Sequence, residues 1–120
     1  MKGFNFGNVN RRPLFDIETE DFEYFSLKEL FEENDEDEDK VYPVFAVYIN
    51  TKGKFGDAPV VALEDRYVNL PENQLEAAQE ILESPAAIDA INNGNCGIQI
   101  RKYYKKKFDK WCYTVDWVNI

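Results

Sequence analysis

The side chains able to do chemistry in this chain are almost all carboxylates and cations, because histidine is absent. That absence removes Ser-His-Asp and Cys-His nucleophile activation together with the commonest general base. Neighbouring carboxylates such as Glu64 and Asp65, or Asp16 and Glu18, have the chemistry of a glycosidase acid and base. With 23 acids in 120 residues, however, such pairs arise from composition alone, and a chain this short has little room for a substrate cleft. The stretch Lys52, Gly53, Lys54, Phe55, Gly56 lacks both the spacing and the Lys-Ser/Thr pair of a phosphate-binding loop. Catalysis is not expected, and no cofactor is implied.

Metal chemistry finds equally little support. Asp35, Asp37 and Asp39 alternate as in a calcium loop, but Lys40 stands where the turn glycine belongs and Ala46 where the bidentate Glu belongs. Cys96 and Cys112 do not complete a four-ligand zinc site without histidine.

What remains is binding, and charge is its main clue. The chain carries a formal charge of minus 9, yet unevenly: residues 1–40 hold thirteen acids against five bases, while residues 97–120 hold six bases against two acids. The acidic side offers Glu32, Glu33, Asp35, Glu36, Asp37, Glu38 and Asp39, with Glu18, Glu20, Asp21 and Glu23 as a second patch. Densely spaced carboxylates imitate a phosphate backbone and fit a basic groove on a protein or nucleoprotein. The leading expectation is a non-enzymatic acidic binding protein, an inhibitor or nucleic-acid mimic of the kind encoded by phages and mobile elements. The bland reading of the same residues is a solvated acidic loop.

The basic side supports an alternative. Arg101, Tyr103, Lys105, Lys106, Lys107, Phe108 and Lys110 interleave cations with aromatics, which suits single-stranded nucleic acid: cations meet phosphates and rings stack on unpaired bases. A further alternative is an assembly subunit whose hairpin edge pairs with a neighbour.

The elements that would position these residues follow from periodicity. Phe25 to Phe31 contains a capping box, Ser26 with Glu29, and Phe25 and Leu30 are spaced for a hydrophobic staple. A two-turn helix near 27–33 therefore buries Leu27, Leu30 and Phe31, then runs into an acidic loop at about 32–40. Val41 to Ile49 reads as one strand covered on both faces, and Pro59 to Leu63, or on to Val68, as its return, the two forming the centre of the sheet. Phe4, Phe6 and Val9 suggest an extended N-terminal segment.

Leu75, Ala78, Ile81 and Leu82 mark a helix, and Ser84-Pro85 stops it and caps the next, lined by Ile88 and Ile91. Two strands, near Gly97–Tyr104 and Trp111–Val118, close the chain as a hairpin. A loop centred on Lys107 and Phe108 pairs Tyr104 with Trp111, Lys102 with Tyr113, Ile100 with Val115 and Ile98 with Trp117, all on one apolar face. That register makes Trp111, Tyr113 and Trp117 core residues. It also sets Cys96 opposite Asn119, roughly 23 Å from Cys112 at ~3.3 Å per residue, so both thiols are expected reduced.

The expected architecture is a single α+β domain over 1–120. It has a mostly antiparallel sheet of four or five strands, two consecutive helices (72–92) packed on one face, and the short capped helix near an edge. Nothing resembles a signal peptide or membrane span, so a cytoplasmic protein is expected.

Overall fold

The computed structural model describes Phe15, Ile17, Thr19 and residues 21–51 and 56–120. The α+β class holds, with the strands divided between two sheets. Strand β1 (Tyr24–Ser26) leads into helix α1 (Leu27–Glu33). Strands β2 (Tyr42–Pro43), β3 (Ala46–Asn50), β4 (Ala58–Ala62) and β5 (Tyr67–Asn69) follow. After a 3-10 turn at Glu72–Gln74 come α2 (Leu75–Leu82) and α3 (Pro85–Asn92), then β6 (Cys96–Lys105) and β7 (Lys110–Asn119). One sheet runs β1-β5-β4-β3 with β1 and β5 parallel; the other runs β2-β6-β7 and is antiparallel. The extended segment expected around Phe4, Phe6 and Val9 lies outside the described residues.

The apolar run at Val41 to Ile49 is not one strand but two, in different sheets. Val44 donates its N–H to the Cys96 carbonyl at 2.9 Å, and Phe45 donates to the Ala62 carbonyl at 2.8 Å. Successive N–H groups of an extended chain point in opposite directions, so two adjacent residues stitch the chain to both sheets. The run is apolar because it sits at the junction. Gly97 permits that junction, since a Cβ there would meet the Val41 side chain at 2.7 Å and the Tyr42 carbonyl at 3.2 Å.

Of the two strands expected at the centre, only β4 is central and β3 is an edge. The return strand ends at Ala62. Leu63 N–H then bonds the Arg66 carbonyl, turning the chain back into β5.

Helix α1 starts as its capping box requires: Ser26 Oγ accepts from Glu29 N–H at 3.1 Å, and Glu29 Oε1 accepts from Ser26 N–H at 3.0 Å. Its Leu27, Leu30 and Phe31 are buried with Val44, Val47, Val61, Ile98, Ile100 and Val115 in one core. Ser84 caps α3 through Ala87 N–H, with Pro85 in the first turn. Helix α2 packs on β3 and β4, and α3 packs on α2. No helix among the described residues is long and apolar enough to cross a membrane.

Candidate nucleic-acid interface and its acidic neighbour

The terminal hairpin has the expected register, with Tyr104 opposite Trp111, Ile98 opposite Trp117 and Cys96 opposite Asn119. Both cysteines are free. At its root, Ile98, Ile100 and Val115 are buried, and Tyr113 and Trp117 pack half-buried against them. The root is also latched from the side. The Gln74 amide donates to Thr114 Oγ1 at 2.9 Å and to the Val115 carbonyl at 3.2 Å, and it accepts from Trp117 Nε1 at 2.8 Å.

The tip differs, and here the structure corrects the expectation for Trp111. That ring lies on the apolar face as alternation requires, yet it is 56% exposed, with Tyr104 at 44% and Phe108 at 55%. Alternation sets which face a side chain takes; it does not set how far the covering layer reaches. Helix α1 covers Tyr113, whose ring meets Phe31 edge-on at 6.0 Å, and Trp111 lies two residues further toward the tip. Trp111 packs edge-to-face on Tyr104 at 5.4 Å and carries the Lys102 ammonium over its ring at 5.0 Å.

Lys106–Phe108 form a 3-10 turn closed by Asp109, which is left-handed at φ 47°. Lys105, Lys107 and Lys110 lie 5.4, 5.7 and 5.9 Å from the Phe108 ring. These three and Lys106 form no ion pair with any described residue. Between the tip and the start of α1 runs an open groove of about 710 Å³, lined by Lys28, Tyr103, Lys105, Phe108, Lys110 and Trp111 among others. Of the expected basic set, the structure thus brings together Tyr103, Lys105, Phe108 and Lys110 on the groove, with Lys106 and Lys107 in the tip turn. Arg101 is held elsewhere: it donates to Asp116 at 2.8 Å, to the Glu38 carbonyl at 2.7 Å and to Gln99 Oε1 at 3.2 Å.

The acidic loop is exposed but shaped. After α1, Asp35 and Glu36 take left-handed conformations at φ 61° and 54°, and Glu36 N–H returns to the Phe31 carbonyl at 2.8 Å. Asp37 Oδ1 accepts from Asp39 N–H at 2.9 Å, an Asx turn. The loop then lies along the outer edge of β6. Glu38 Oε2 accepts from Lys102 N–H at 3.0 Å, Glu36 Oε1 accepts from Lys102 Nζ at 3.0 Å, and the Asp39 carbonyl accepts from Gln99 at 3.1 Å. The Glu36 carboxylate raises the pKa of the Lys102 ammonium.

Glu33 is engaged by Arg66 at 2.7 Å, so it ties α1 to the turn before β5. The side chains of Glu32, Asp35 and Asp39 accept no hydrogen bond from a described residue and stay open to solvent. In the second patch Asp21 and Glu23 are exposed, while Glu18 and Glu20 lie outside the described residues. Among the described residues no group of three or more acidic or sulfur side chains is arranged to hold a metal ion.

Sequence reasoning missed Lys28, Lys102, Tyr104 and Gln74. Lys28 and Gln74 reach the hairpin only through long-range packing and have no local signal. Lys102 and Tyr104 stood on the face read as core, although a lysine there already marked where that core must end. Comparisons of the chain with protein-family models, curated proteins and solved structures found no match.

Proposed function

We propose that this is a non-enzymatic binding protein that takes single-stranded nucleic acid on the tip of its terminal hairpin. The observation that carries the reading is the exposure of Trp111 and Phe108 beside four lysines that pair with no described carboxylate. Exposed rings offer stacking to unpaired bases, and the lysines offer phosphate contacts. The overall charge of minus 9 opposes nonspecific attraction to polyanions, so binding is confined to this end of the molecule.

Fluorescence anisotropy with a labelled short single strand and its duplex, at low and then moderate salt, tests the reading. The single strand should bind more tightly, with an affinity that falls as salt rises. Equal binding of the duplex would rule out stacking, and no binding at low salt would end the proposal.

A second reading has its own observation. Asp35 and Asp39 are exposed, and their side chains accept no hydrogen bond from a described residue, which supports contact with a basic surface of a macromolecular partner, as an inhibitor or nucleic-acid mimic would make. Replacing the carboxylates from Asp35 to Asp39 by amides should then weaken capture of a basic partner with little change in thermal stability. Unchanged capture would dismiss it.

A further inference from the structure

We propose that Lys102 is an additional phosphate-binding residue of the hairpin and that Glu36 masks it, so that the acidic loop competes with the ligand inside the same molecule. The inference rests on the nucleic-acid reading above and deepens it.

The argument begins with where Lys102 sits. Its ammonium lies 5.0 Å from the centre of the exposed Trp111 ring and 3.0 Å from Glu36 Oε1, so it is held between the stacking surface and an acidic group. A base stacked on that face of Trp111 must move the ammonium aside, and the nearest productive place for it is the phosphate of the same nucleotide. Glu36 opposes both steps, because it anchors the ammonium over the ring and supplies the negative charge a phosphate would otherwise provide.

Three further contacts hold the loop in position: Lys102 N–H to Glu38, Arg101 to the Glu38 carbonyl, and Gln99 to the Asp39 carbonyl. The hydrogen bonds from Arg101 and Gln99 end on backbone oxygens. Neutralising Glu36 therefore leaves them in place and changes the mask without dismantling the loop.

The variant Glu36→Gln tests this by anisotropy on a labelled single strand, beside Glu80→Gln, which removes one exposed carboxylate from α2. A single-strand contact contributes about 0.7 to the slope of log K against log salt. A freed Lys102 should therefore steepen the slope by about 0.7 and tighten binding about eightfold near 50 mM salt, falling to about fourfold near 0.15 M. Adding Lys102→Ala should abolish that gain, whereas Lys102→Ala alone should change affinity little, because the lysine is masked in the parent protein.

If Glu36→Gln behaves as Glu80→Gln does, or if Lys102→Ala leaves its gain intact, the masking is wrong although the hairpin still binds. If neither the parent nor any variant binds the strand near 50 mM salt, the underlying binding proposal is what has failed.

Discussion

Replacing Trp111 by alanine should separate binding from folding. The ring is 56% exposed, and its identified ring contacts are an edge-to-face pairing with Tyr104 at 5.4 Å and the Lys102 ammonium at 5.0 Å. The first contributes about 0.5–1.5 kcal/mol and the second about 0.5–1 kcal/mol at an exposed site. Their loss lowers stability by about 1–2.5 kcal/mol, against about 3–5 kcal/mol for truncating a fully buried aromatic such as Phe31. Loss of one stacked base costs about 1–3 kcal/mol of binding. That corresponds to about 5- to 150-fold in affinity. Urea unfolding measures the first quantity and anisotropy the second. A destabilisation as large as that of Phe31→Ala would show that Trp111 is a core residue and that the tip is covered in solution. Unchanged affinity in a folded variant would show that the exposed ring is not the stacking platform.

Other consequences are more local. Changing Lys105, Lys106 and Lys107 to alanine should flatten the salt dependence by about 0.7 for each lysine that meets a phosphate, with the thermal midpoint nearly unchanged; a parallel salt slope would place the phosphates elsewhere. Gln74→Leu leaves Trp117 Nε1 and the Val115 carbonyl without the partner they have now. A fully buried group left unsatisfied costs about 1–3 kcal/mol and these two are part-buried, so the urea midpoint should fall by less than that full penalty, and a midpoint equal to the parent's would show the latch to be incidental. Glu29 is held below its usual pKa of 4.5 by the Ser26 backbone N–H and then the Ser26 hydroxyl. Its stabilising effect over Glu29→Gln is therefore complete above that value and disappears as pH falls through the depressed one. A stability difference independent of pH between 7 and 2 would contradict the capping geometry.

How much was legible in the sequence depended on whether the cause was local. The capping box at Ser26 and Glu29, the Ser84-Pro85 boundary and the hairpin register are set by neighbours a few positions apart, and each was readable. The break between Val44 and Phe45 was not, because a run buried at a junction between two sheets is as apolar as a strand buried within one. The parallel pairing of β1 with β5 joins Tyr24 to Tyr67 across more than forty residues and has no local signature. In the candidate site, the basic residues and Phe108 were visible as composition. Trp111 was misplaced because period-two alternation carries no information on where α1 stops covering the sheet.

The opposite charges at the two ends of the chain acquire a specific meaning once the loop is seen on β6. Exposed ion pairs contribute only about 0–1 kcal/mol, a neutral hydrogen bond about 0.5–1.5 kcal/mol net, and one with a charged partner about 1.5–3 kcal/mol. With the hairpin, the docked segment from Glu36 to Asp39 makes one such ion pair, one neutral hydrogen bond from Gln99 and two with a charged partner at Glu38, while ordering its four residues costs about 4–8 kcal/mol of backbone entropy. The two sides nearly cancel, so these contacts hold the loop weakly and reversibly against the hairpin. Under the masking proposal that weakness is required, since a strand meeting several lysines at once must displace one carboxylate from one ammonium. A loop held by a buried, fully satisfied network would instead be a permanent part of the surface, and Glu36→Gln would then destabilise the fold without tightening any ligand.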